Sequence, residues 1–141
     1  MSRIYWDSMV FIYLLEGNPQ FLPKVQHMLQ RMEGRGDTLA TSVFTLGEVL
    51  TGPRRVGASD VVATIKSYFA SGSVALLAFD AETADRYSTL RAKFRVTQAD
   101  AIHLATAAVS GVDLFVTNDR LLWKLVIPGI KFMIDLDGVV H

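Results

Sequence analysis

The chain has 141 residues, half of them hydrophobic, and its 14 basic and 14 acidic side chains leave a formal net charge of zero. That length is one ordinary domain, residues 1–141, with apolar content enough to bury a core without a metal or a disulfide. The lack of cysteine excludes disulfides, thiolate zinc sites and thiol nucleophiles, and a neutral balance argues against a strongly basic nucleic-acid coat protein.

The first element predicted is a strand through Arg3-Ile4-Tyr5-Trp6 that ends at Asp7. An apolar helical segment follows from about Val10 to Leu15 and stops at Gly17-Asn18-Pro19. This longest apolar run is far short of the roughly 20 residues a membrane span needs, and no signal-peptide pattern precedes it, so a soluble cytoplasmic protein is expected. Val25, Met28, Leu29 and Met32 recur at helical spacing within Pro23 to Met32, and Gly34-Arg35-Gly36 closes that helix. Thr38 to Thr41 is a short strand. Ser42 is a fitting N-cap for a helix with Val43, Leu46, Val49 and Leu50 on one face, stopped by Gly52-Pro53. Ala58 to Ala70 is the next helix. Val74 to Phe79 is a continuous apolar run, as in a parallel strand buried on both faces. Asp80 caps a helix to about Phe94, and Thr97 caps another from Gln98 to Ser110, ended by Gly111. Leu114 to Val116 is a strand leading to Thr117-Asn118-Asp119, and Ile130 to Ile134 is the last. Strands alternating with helices predict an α/β domain: a central, mostly parallel sheet with helices on both faces and a ligand site beyond the carboxyl ends of the strands.

Four carboxylates stand where that architecture can bring them to one edge: Asp7, Glu48, Asp100 and Asp119. Each has an ordinary explanation. Asp7 and Asp119 are plausible N-caps, Asp100 completes a capping-box spacing with Thr97, and Glu48 lies off the apolar face of its helix. Their joint placement is what points elsewhere. Clustered carboxylates repel one another, a divalent cation removes that penalty, and an all-oxygen donor set suits Mg²⁺ or Mn²⁺. Such a centre can hydrolyse a phosphodiester. Ser8 has no obvious partner base, so no serine–histidine–acid arrangement competes. His27, His103 and His141 are too scattered for zinc. His103 is read as an ordinary surface or satisfied histidine and left out of the site. Asp135-Leu136-Asp137-Gly138-Val139 has the look of a haloacid-dehalogenase nucleophile motif, but it comes too late in the chain and is read as a strand end.

Tyr5-Trp6-Asp7-Ser8 with the apolar helix after it, Ser42 to Leu50 around Glu48, Gln98-Ala99-Asp100-Ala101-Ile102-His103-Leu104-Ala105 and Val116-Thr117-Asn118-Asp119 together resemble, in order and over nearly the whole chain, the motifs of VapC-type PIN-domain toxins. The resemblance implies a three-layer PIN fold, with Asp7, Glu48, Asp100 and Asp119 as an acidic pocket holding Mg²⁺ or Mn²⁺. It also implies an endoribonuclease acting on RNA, a small antitoxin partner and a homodimer. One departure is Met9, where the family usually has a polar residue that supports the pocket. Arg54, Arg55, Arg91, Lys93 and Arg95 are candidate RNA contacts, with plain surface charge the alternative. Two other readings remain open: an RNA-maturation nuclease without an antitoxin, and an inactive RNA-binding module.

Overall fold

Short, mostly apolar segments, three to five residues long, build the centre of the molecule. In the computed structural model, which describes residues 1–141, they form five strands: β1 Arg3–Trp6, β2 Thr38–Ser42, β3 Ala75–Leu77, β4 Leu114–Val116 and β5 Phe132–Ile134. Every pairing is parallel and the order across the sheet is β3-β2-β1-β4-β5. Seven helices connect them: α1 Ser8–Glu16, α2 Leu22–Arg35, α3 Val43–Arg55, α4 Ser59–Ala70, α5 Ala81–Lys93, α6 Gln98–Ser110 and the single turn α7 Arg120–Trp123.

Alternation along each strand divides the core in two. Ile4, Trp6, Val116 and Ile134 face one side, against Val10 and Phe11 of α1, Val25, Met28 and Met32 of α2, Val49 of α3, and Ile65 and Phe69 of α4. Tyr5, Phe115 and Met133 face the other, against Leu90 of α5, Leu104 and Ala105 of α6 and Leu122 of α7. The result is the expected α/β sandwich of three layers. α6 carries seven buried residues around its circumference, so it is a core helix and not a half-exposed one.

Two local expectations are corrected. Gly52-Pro53 does not stop α3, which continues to Arg55 with Pro53 inside it. Pro53 lies two residues before the end, so the only intrahelical bond its missing N–H removes is the one to the Val49 carbonyl. The stretch Val74 to Phe79 is paired only over Ala75–Leu77, and all three strand residues are half-buried. As an edge strand β3 has one neighbour, and Phe79 is 40% exposed, so double-sided burial does not follow from apolar content alone. The last strand is likewise shorter than Ile130 to Ile134, beginning at Phe132.

The sheet order positions the site. From β1 the chain runs outward to β2 and β3, then returns to add β4 and β5 on β1's other side. The carboxyl ends of β1 and β4 therefore flank a topological switch point, where open parallel sheets bind their ligands. The residues after β1 and β4 are Asp7 and Thr117-Asn118-Asp119.

Candidate acidic active site

Asp7 is the half-buried N-cap of α1. Its Oδ1 accepts the Val10 N–H at 3.3 Å, and its own N–H donates to the Val116 carbonyl at 3.2 Å. Its Oδ2 accepts the Thr117 hydroxyl at 2.5 Å, so the segment after β4 holds the carboxylate that ends β1. Thr117 Oγ1 also accepts the Asp119 N–H at 3.0 Å, while Asp119 Oδ1 caps α7 by accepting the Leu121 N–H at 3.0 Å. One threonine thus fixes two acids. Asp100 lies in the first turn of α6, where its N–H donates to Thr97 Oγ1 at 3.1 Å. The capping roles read for Asp7 and Asp119 are real, and each leaves carboxylate lone pairs over; at α6 Thr97 is the cap, and the Asp100 carboxylate does not bond back to the Thr97 N–H.

Glu48 is held differently. From α3 its Oε1 accepts His103 Nε2 at 2.7 Å and the Ser8 hydroxyl, which leaves Oε2 without a protein donor. His103 is buried, and its Nδ1 lies 2.7 Å from the Tyr5 hydroxyl. The sequence predicts an ordinary surface or satisfied histidine at position 103; His103 is satisfied, and its partner is a candidate site acid. Ser8, which had no visible partner, bonds Glu48 and lies 3.0 Å from His103 Nε2. This is not a catalytic triad: the acid and the serine meet the same ring nitrogen, and Ser8 is buried. The signal for His103 was available in the helix carrying it. A helix buried on all sides has no solvent for a polar side chain, so an imidazole there must find protein partners.

The charges feel one another. Burial pushes the Asp7 carboxyl above its ordinary range, with Thr117 opposing and Asp100 adding to the rise. Burial likewise raises Asp100, and Asp119 and Glu48 add repulsion to it. Glu48 goes the other way: burial disfavours its charge, but the bonds from His103 and Ser8 outweigh that and hold it low. The four acids form one electrostatic neighbourhood. No three histidine, aspartate or glutamate side chains converge into a ready cage for an ion. That still fits Mg²⁺ or Mn²⁺, which bind through one or two carboxylates and keep several waters.

Elsewhere, Arg54, Arg55, Arg91, Lys93 and Arg95 are all exposed. Asp135 is tied into a terminal turn by the Asp137 and Val139 N–H groups, at 2.9 and 3.0 Å, and faces His141 at 3.0 Å. Met9 is 45% exposed. No helix is long and apolar enough to cross a membrane.

The PIN domain family model matches residues 4–125. The chain belongs to the PIN-domain family. No curated protein resembles it closely enough in sequence to count as a relative. Among solved structures this PIN domain is similar to VapBC2 from Rickettsia felis, bound to a DNA fragment from their promoter, with a TM-score of 0.75 and 17% identity over 94% of this chain and 98% of that one. It is similar to VapC20 of Mycobacterium tuberculosis, described as a sarcin–ricin loop cleaving toxin, with a TM-score of 0.67 and 16% identity over 87% of this chain and 96% of that one. A toxin–antitoxin complex from Klebsiella pneumoniae matches with a TM-score of 0.64 and 21% identity over 90% of this chain and 94% of that one. At these identities the likeness is one of fold.

Proposed function

We propose that this PIN domain is a Mg²⁺- or Mn²⁺-dependent endoribonuclease, the toxin of a VapBC-type pair, with Asp7, Glu48, Asp100 and Asp119 as its working acids. The observation that carries this reading is the Thr117 bond to Asp7, which joins the ends of β1 and β4 at the switch point and places Asp119 beside them. Burial, with repulsion from neighbouring acids, raises Asp7 and Asp100 despite the opposing effect of His103, and a divalent cation is the natural further counter-charge. When bound, the cation polarises a phosphodiester and eases deprotonation of water. Asp7 and Asp100 are the candidates to hold it directly, with Glu48 and Asp119 reaching it or its waters. Thr117 orients Asp7. A domain that only bound RNA would gain nothing from four acids facing phosphates.

Exposed Arg54, Arg55, Arg91, Lys93 and Arg95 are the candidate contacts for the RNA backbone, with plain surface charge the reading for at least half of them. Regulation by an antitoxin is supported by the fold neighbours, which include toxin–antitoxin complexes. The apolar side chains left partly exposed on α1 and α3, Ile12, Leu15, Leu46 and Leu50, suit an amphipathic helix of such a partner. Its arginine, forked and always charged, suits the acidic pocket. A cytoplasmic homodimer, each copy a single domain over residues 1–141, completes the proposal.

The test is cleavage of mixed RNA by the purified chain. Mg²⁺ or Mn²⁺ should support cleavage, chelator should end it, and Asp7→Asn should lower the rate by about 100-fold or more while keeping the fold. Undiminished cleavage in excess chelator would defeat the reading.

A further inference from the structure

Four elements converge on one buried chain of polar groups. Ser42 at the end of β2 donates its N–H to the Tyr5 oxygen of β1 at 3.2 Å. The Tyr5 hydroxyl lies 2.7 Å from His103 Nδ1 on α6, and His103 Nε2 lies 2.7 Å from Glu48 Oε1 on α3. The ring is braced at its faces and edges by Tyr5, with centroids 5.8 Å apart at 71°, and by Phe44, 5.7 Å away at 64°. Tyr5 is fully buried and His103 is 4% exposed, so both rings are shielded from bulk solvent.

The protons in this chain fit in one order. The Tyr5 oxygen accepts the Ser42 N–H, and its O–H has His103 Nδ1 as an acceptor at 2.7 Å, while the neighbouring Thr41 and Thr45 hydroxyls bond each other and the Trp6 carbonyl. With Nδ1 accepting, the ring proton sits on Nε2 and donates to Glu48. In the opposite tautomer a bare Nε2 lone pair would face the Glu48 carboxylate oxygen, and the one donor beside it, the Ser8 hydroxyl 3.0 Å away, is already given to Glu48.

We propose that His103 is a positioning residue for Glu48, and that Tyr5, itself held by the Ser42 backbone, fixes the ring tautomer that makes it one. Asp7 and Asp119 are short side chains anchored at helix caps on strand ends. Glu48 has no such anchor: it projects from the second turn of α3 on a side chain with three rotatable bonds. The relay supplies an anchor from the far layer of the sandwich, alongside the Ser8 hydroxyl of α1, which bonds the same oxygen. It occupies Oε1 and leaves Oε2 for work, so the entropy of ordering Glu48 is met by the fold before substrate arrives. The proposal rests on Glu48 being one of the working acids.

The experiment has a kinetic and a spectroscopic arm. His103→Leu should lower kcat for RNA about 10- to 100-fold with KM little changed. His103→Gln, whose side-chain amide reaches where Nε2 stands, should recover most of the loss, and Tyr5→Phe should fall between. Combined with Glu48→Gln, His103→Leu should cost nothing further, because it acts through Glu48. Losses that multiply, or a glutamine variant no better than leucine, would overturn the proposal. A Glu48→Gln variant with full activity would instead remove Glu48 from the proposed machinery. Ring ¹⁵N spectra of the unsubstituted protein decide the relay independently of activity and of any variant's folding. A protonated Nε2 with a bare Nδ1 is expected, and a proton on Nδ1 contradicts it.

Discussion

Asp7 serves local structure and the candidate site with one carboxylate, Oδ1 capping α1 and Oδ2 taking the Thr117 hydroxyl. In sequence these look like competing explanations; in the structure they are compatible, because an ionised carboxylate has more lone pairs than a cap uses. This placement has a pH signature. Burial raises the folded-state pKa of Asp7 above its ordinary 3.8, so the folded protein keeps a proton that the unfolded chain releases. Stability therefore falls as pH rises through the ordinary aspartate range, and the deficit persists above the raised value. Asp7→Asn removes it. Without divalent metal, the variant should melt higher than the parent at neutral pH, and the advantage should vanish below about pH 4. Melts at both pH values check this; an asparagine variant less stable than its parent at neutral pH would show that burial is not what governs Asp7.

At the scale of elements, most strands and helices were legible because their signals are local. Asp80 and Thr97 cap the helices they were expected to cap, and Gly36 and Gly111 close theirs in the left-handed conformation. The failures depend on neighbours that a sequence does not display. Pro53 reads as a stop, yet near a helix end it removes one bond and is tolerated. The apolar stretch before Asp80 reads as a buried strand, but its burial depends on lying at the edge of the sheet. Gly129 is a further case. It has φ +100°, and a Cβ there would sit 2.4 Å from the Ala108 carbonyl oxygen, so the loop into β5 packs backbone-to-backbone on α6. Gly129→Ala should cost about 2–4 kcal/mol, from strain and overpacking together. Gly36→Ala, with φ +71° but open space around it, should cost only about 1–2 kcal/mol. Denaturant unfolding of the two variants checks the order; equal losses would mean that the Ala108 contact yields easily.

At the scale of the whole molecule, the order β3-β2-β1-β4-β5 explains why acids 112 positions apart in sequence, Asp7 and Asp119, share one threonine. The alternation of strands and helices made the three-layer sandwich readable, and the motif order made the four acids a candidate set. The support beneath them was not. Tyr5, Ser8, His103 and Thr117 are ordinary residues in sequence and acquire their roles only when separate elements meet. The central claim is that the acids form one cation site, and calorimetric titration of the apo protein with Mn²⁺ tests it most directly. The account predicts saturable binding, a melting temperature that rises with Mn²⁺, and a marked weakening of both in Asp100→Asn. Mn²⁺ binding and stabilisation identical in Asp100→Asn and its parent would contradict it.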